Sequence, residues 1–256
     1  MTGPAPRSAI LGMSLDALTM EQTVARCVTA VENRENLTIG VVNAAKAVRM
    51  RQDPALRESV VSCDLVVADG QAVVWASRIL GRPLPERVAG IDLFTSLMEE
   101  GARRGHRAYF LGARQEVLDR VVERVTAAYP GLVVAGARNG YFTDDEAPFV
   151  AAEIGASRPD LLFLGMTSPK KEIFCARYAD DVKAGVIHGV GGSFDVFAGK
   201  VRRAPAVWQK LGLEWMYRFL QEPLRLGPRY LSTNTRFAWM VVKEYVQGLG
   251  RRGGKG

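Results

Sequence analysis

The sequence predicts an α/β fold in which a mostly parallel sheet is covered by helices on both faces. Three observations carry that expectation. Short apolar runs of four to six residues recur along the first 200 residues, amphipathic stretches of helical period separate them, and small or polar residues stand directly after almost every run. In such a sheet, ligands bind outside the carboxyl ends of the strands, so the residues that follow each run are the ones to inspect.

Taken in order, the N-terminal MTGPAPRSAILGMS lacks a charged segment followed by a long apolar core, and so does not read as a secretory signal. The first expected strand is Leu37 to Val42, followed by Asn43; the second is Asp64 to Ala68, followed by Asp69 and Gly70. A helix over Gln71 to Leu80 would take Asp69 as its N-cap. Arg107 to Leu111 is the third strand and ends at Gly112. Gln115 to Ala128 predicts a helix, because Val117, Val121, Val125 and Ala128 share one face while Glu116, Arg120, Glu123 and Arg124 point outward. Pro130-Gly131 and Asn139-Gly140 read as turns around a strand at Leu132 to Ala135, and Asp144, Asp145 and Glu146 suit a helix N-terminus. Asp160 to Leu164 and Gly185 to His188 are the last strands, followed by Gly165 and by Gly189 through Asp195. Glycines there let a backbone approach phosphate or a planar base, and all these positions together point to a nucleotide site.

After residue 200 the pattern changes. Ala206 to Gln221 and Leu224 to Val246 predict helices with no strand between them, rich in Trp208, Trp215, Tyr217, Phe219, Tyr230, Phe237, Trp239 and Tyr245, with Arg218, Arg225, Arg229 and Arg236 interleaved. Two parts are therefore expected, a body over residues 1–205 and a helical appendage over 206–256. Charge divides the same way: the net +7 comes from 23 basic and 24 acidic side chains in residues 1–200, against 11 and 3 in residues 201–256. A cationic, aromatic appendage points to a polyanion, and such helices suit the headgroup layer of an anionic membrane.

Several classes are excluded. Cys27, Cys63 and Cys175 are far apart and odd in number, which suits buried thiols rather than a disulfide framework, and His106 and His188 offer no zinc spacing. No run of about 18 uncharged apolar residues predicts a membrane span. GVGGSF (Gly189 to Phe194) places Phe194 where a dinucleotide fingerprint needs its third glycine. GGSFD lacks the last glycine of a nucleophile elbow, and neither histidine has an evident role beside it. No Walker motif occurs, nor a metal-binding pair of aspartates flanking one residue after a strand.

Eight ordered segments, among them VVNAAKAV, DLVVADGQAVVWASRILGRPLPERVAGIDLF, DLLFLGMTSPKKEIF, GVGGSFDVFAGKVRRAP and GLEWMYRFLQEPLRLGPRYL, resemble the WecG/TagA/CpsF family, glycosyltransferase family 26, from about residue 10 to residue 245. The resemblance implies a Rossmann-like UDP-sugar-binding domain. It would move a sugar, N-acetylmannosamine or another hexose, to a polyprenyl-diphosphate-linked sugar, with inversion and without metal or other cofactor. It also implies a peripheral place on the inner, cytoplasmic face of the cell membrane and a role in cell-envelope or exopolysaccharide synthesis, and it leaves a homo-oligomer open. On this likeness Asp69 stands in the base position. Asn43, Arg87, Gly112, Lys171, Gly189, Gly191 and Asp195 would bind the donor, and Arg218, Arg225 and Arg229 the acceptor's diphosphate. The chain departs from the family's pattern at Val41, where a threonine is usual, and at Lys171, where a glutamine is. An ammonium only donates and adds a charge, so both changes bear on which donor sugar is read.

A second class of function fits the charge asymmetry: a non-catalytic nucleotide-binding module with a basic tail on nucleic acid. It would leave the strand-end Asp69 without a function, and no nucleic-acid motif supports it, so no nucleic-acid partner is expected.

Overall fold

The computed structural model describes residues 6–210, 212–221 and 223–253; of residues 210, 218, 225–231 and 249–253 it describes the backbone alone. It opens with an antiparallel hairpin, β1 (Arg7–Ile10) and β2 (Met13–Asp16), which is absent from the strands expected above. Its turn places Leu11 and Gly12 at φ of +52° and +73°. A leucine is an unusual residue for that conformation, so the common asparagine-glycine signal is missing.

After α1 (Met20–Glu32) come β3 (Leu37–Val42), α2 (Ala44–Met50), α3 (Pro54–Val61), β4 (Leu65–Ala68), α4 (Gln71–Ile79) and α5 (Gly90–Arg104). Then follow β5 (Arg107–Gly112), α6 (Gln115–Ala128), β6 (Val133–Arg138), α7 (Ala147–Ala156), β7 (Leu161–Gly165), α8 (Lys170–Val182), β8 (Val186–Gly189) and α9 (Ser193–Phe197). The strands β3 to β8 form one parallel sheet in the order β4-β3-β8-β7-β5-β6. Expected and observed strands agree within a residue at each end, except that Leu132 to Ala135 becomes Val133–Arg138. The expected α/β fold class is thus the observed one, in a Rossmann-like arrangement.

Side chains alternate between the two faces of the sheet, one lined by a single core and the other by two. Leu37, Ile39, Val41, Leu65, Val67, Phe110, Phe163 and Val186 face α1, α5, α6 and α9. Val42, Val66 and Ala68 face α2, α3 and α4, and Leu111, Leu162, Leu164 and Ile187 face α7 and α8. The β4 edge is covered by the hairpin: buried Asp16 accepts from Val66 N–H at 2.7 Å through Oδ2 while Oδ1 pairs with Arg7 Nε at 2.9 Å, which satisfies a donor that an edge strand would leave open.

The appendage is α10 (Ala206–Lys210), α11 (Glu214–Gln221) and α12 (Pro223–Gly253). The helix expected over Ala206 to Gln221 is therefore two, broken at Gly212 with φ of +72°. Pro223 starts α12, where a missing N–H costs nothing. Phe237, Met240 and Val241 of α12 are buried in the α2–α4 core. Among the described residues, no helix is long and apolar enough to cross a membrane.

Candidate active site

Chain order makes the centre of the sheet the switch point: β3 leads outward to β4, β5 outward to β6, and β7 and β8 fill the gap. The crevice expected there lies at the carboxyl ends of β3, β4 and β8.

Asn43 follows β3 and caps α2, its Oδ1 accepting from Lys46 N–H at 3.0 Å. That bond fixes the amide, so Nδ2 donates to Asp69 Oδ2 at 3.3 Å. A Cβ on Gly70 would lie 2.9 Å from Asn43 Cβ, so glycine lets the two strand-end turns close on each other. The second carboxylate oxygen of Asp69, Oδ1, accepts from Gly90 N–H at 2.8 Å. Gly90 is the first residue of α5, whose N-cap Ala89 brings no side-chain acceptor. Asp69 therefore caps α5 and not α4, the helix that the sequence suggested; α4 has Gly70 as its N-cap, without a side-chain bond.

Behind this carboxylate lies a buried charge cluster. Lys46 Nζ is 2.8 Å and Lys171 Nζ 3.3 Å from Glu172 Oε1. Burial pushes the Lys171 ammonium below its usual pKa, and the Lys46 charge adds to the effect. Burial opposes the Glu172 charge, but Lys46 and Lys171 together outweigh it and hold its carboxyl below the ordinary range. Two ammoniums share one carboxylate, and Asp69 is near enough to act on Lys171 as a second acid. The Lys171 stem runs along the turn after β8: a Cβ on Gly189 would meet its Cε at 3.0 Å, and one on Gly191 its Nζ at 3.3 Å.

His188, in β8, is fully buried on the α5 side of the sheet, and its Nε2 is 3.0 Å from Gly90 O. Because that partner is a carbonyl, Nε2 carries the proton; Nδ1 has no partner. Burial lowers its pKa to about 4, so the ring is neutral.

Arg87 sits on the other flank, in a mixed ion network. Its Nη1 is 2.6 Å from Glu214 Oε2 of α11 and its Nη2 3.9 Å from Asp92 Oδ2. Arg203 bridges the same two acids, at 2.6 Å from Asp92 Oδ1 and 3.3 Å from Glu214 Oε1. The appendage is thereby tied to the first turn of α5, and Gly212 packs against Gln71, the first residue of α4, so closely that a Cβ would not fit.

The structure thus brings Asn43, Asp69, Lys171, Gly189 and Gly191 together, with Arg87 on the appendage side. Gly112 ends β5, on the far side of β7 from β8, where it pairs with Gly165 at φ of +143°. Asp195 lies in the first turn of α9, half exposed, with Lys200 Nζ at 3.7 Å. Arg218 is in α11 and Arg225 and Arg229 are in α12, but their side chains lie outside the described part. Lys46, Glu172, His188, Gly90 and Glu214 were not among the expected site residues. The available signals were a polar ring closing an apolar run at His188 and a lysine three residues after Asn43. The three cysteines are free thiols, as expected, but only Cys27 and Cys175 are buried; Cys63 is half-buried. Among the described residues, no three His, Cys, Asp or Glu side chains group as metal ligands would.

An oriented carboxylate, buried cations and glycine turns gathered at the strand ends suit an α/β enzyme of the open parallel-sheet class. The chain belongs to the Glycosyl transferase WecG/TagA/CpsF family, which matches residues 8–251, and it is a glycosyltransferase. It is 38% identical over 225 residues to an N-acetylglucosaminyldiphosphoundecaprenol N-acetyl-beta-D-mannosaminyltransferase of Bacillus spizizenii, covering 86% of this chain and 87% of that protein. A protein of the same name from Bacillus subtilis is 33% identical over 214 residues, covering 84% and 82%. This membership removes the non-catalytic binding module from consideration.

Proposed function

We propose that the protein transfers a sugar from a UDP-sugar, N-acetylmannosamine or another hexose, to a sugar carried on a polyprenyl diphosphate, with inversion and without a metal. The observation that carries the reading is the Asp69 carboxylate, held through both oxygens at the mouth of β4. The relatives' names supply the acceptor chemistry, a lipid-diphosphate-linked N-acetylglucosamine.

In this reading Asp69 takes the proton of the acceptor hydroxyl as that oxygen forms a bond to the anomeric carbon. The bond from that carbon to the UDP oxygen breaks on the opposite face, and UDP leaves with the electron pair. Negative charge grows on the diphosphate, and in this reading Arg87 and Lys171 supply the cations that meet it. Asn43 orients Asp69 and the donor; Gly112, Gly189 and Gly191 admit the nucleotide, and Asp195 pairs with uracil or ribose. Arg218, Arg225 and Arg229 receive the acceptor's diphosphate. The exposed Trp215, Leu220, Leu224, Trp239, Val242 and Val246 suit contact with the cytoplasmic bilayer surface.

The test incubates the protein with a panel of UDP-sugars and short-chain lipid-diphosphate acceptors, reading UDP release and product. One pair should turn over in chelator, and Asp69→Asn should lower kcat by about 100-fold or more while UDP still binds. Turnover retained by Asp69→Asn would remove the base assignment, and a requirement for divalent metal would remove the metal-free one.

A further inference from the structure

We propose that His188 is a positioning residue for Asp69, acting through Gly90. This rests on the reading of Asp69 as the base. The connection is two hydrogen bonds in series. His188 Nε2–H donates to Gly90 O at 3.0 Å, and Gly90 N–H donates to Asp69 Oδ1 at 2.8 Å. The two bonds engage peptide groups on either side of the same α-carbon, so together they restrain both backbone torsions of Gly90. Glycine is the residue with most torsional freedom to lose, and here it opens a helix with no N-cap side chain of its own. Without the imidazole, the Gly90 carbonyl keeps only its place in the helical ladder, and the opening turn of α5, which carries the N–H that holds the carboxylate, loses its tie to β8.

Its surroundings argue that the ring is there for this bond. His188 is 0% exposed in a layer otherwise filled by Ile39, Phe163, Val186 and Phe94, and its Nδ1 meets no polar group. An aliphatic side chain would fill that layer without leaving a buried nitrogen unpaired. Its strand neighbours across the register, Ile39 in β3 and Phe163 in β7, are such side chains. The ring's hydrogen bond goes to Gly90 and not to Asp69, so it orients the reacting carboxylate without taking part in the proton transfer.

The experiment compares His188→Gln, whose amide N–H can replace Nε2–H, with His188→Met, which fills similar space and donates nothing. Sugar transfer by His188→Met should fall in kcat by about 10- to 100-fold, with KM for the donor and the Kd for UDP within about twofold of the parent, the partial loss expected of a displaced base. His188→Gln should recover most of kcat. If His188→Met does not fold, His188→Asn, whose amide is too short to reach Gly90, is read in its place. Parental kcat in the donor-less variant overturns the proposal. So does a loss of kcat matched by an equal loss of UDP affinity and left unrescued by glutamine, which is what a general packing defect would give. Asp69→Asn is measured alongside. If it stays active, the base assignment has failed; if it is dead while His188→Met is fully active, only the positioning role has.

Discussion

A neutral imidazole in an apolar layer makes stability depend on pH at a single residue. Burial lowers the His188 pKa from 6.5 to about 4 in the folded chain. Between those values the unfolded chain binds more protons. The contribution is therefore intact above 6.5 and is lost as pH falls through the folded value. At about 1.4 kcal/mol per pH unit the loss is on the order of 3 kcal/mol. Urea unfolding should show the parent losing about that much more stability than His188→Gln between neutral pH and about pH 4. The lowered pKa of the partly buried His106 acts in the same direction but is common to both proteins and cancels in the difference. Equal pH slopes for the two would mean that the ring is already charged or solvated in the fold. Above about pH 5 the ring stays neutral with its Nε2 proton in place, so the donor to Gly90 is available across the neutral range.

Among the elements, α11 is held to the body by a network of charges. Glu214 at its start accepts from both Arg87 and Arg203, and its side chain is only 16% exposed. Glu214→Gln would leave two guanidiniums sharing Asp92 alone. Hydrogen bonds to charged groups of this burial contribute about 2 kcal/mol, so amide exchange in residues 214–221 should quicken by roughly 30-fold while that of α1 to α9 is unchanged. Unaltered exchange in α11 would show that apolar packing, not the network, holds that helix. Elements with a strong local period were legible from the sequence: α6 spans the expected Gln115 to Ala128 because Val117, Val121 and Val125 are all buried on one face. The strand β6 ran past its expected end because it is an edge strand, partly exposed through Arg138, and so carries no continuous apolar run. The hairpin of β1 and β2 was hidden by a leucine in a left-handed turn. Within the site, Asn43 and Asp69 were legible because they follow strands. His188 and Glu214 were not, because their partners Gly90 and Arg87 lie 98 and 127 residues away, and local pattern carries no record of such pairings.

Over the whole molecule, the excess of positive charge falls on the C-terminal part of the chain, where Trp215, Trp239 and Tyr245 are also exposed. The body is nearly neutral, whereas residues 201–256 hold 11 basic side chains against 3 acidic. The appendage reaches the crevice from two directions. Glu214 engages Arg87, and α12 packs along α2 and α4, the helices that begin beside Asn43 and Asp69. On α12, Phe237, Met240 and Val241 point into the core, while Trp239, Val242 and Val246 form an exposed stripe at 67%, 52% and 58%, flanked by Arg236 and Lys243. Removing residues 206–256 would strip the first set along with the second and so unfold part of the α2–α4 core. A surface variant separates the two roles. Replacing Trp239, Val242 and Val246 by serine removes apolar area worth about 1 kcal/mol per side chain at a membrane interface, so affinity for vesicles containing anionic lipid should fall by roughly 100-fold. Thermal stability and turnover of a water-soluble short-chain acceptor should stay at parental levels, since none of the three side chains lies in the core or the crevice. Parental vesicle binding by the triple variant would move the membrane contact to the basic residues alone. Loss of turnover on the soluble acceptor would instead place this stripe against the protein's own site.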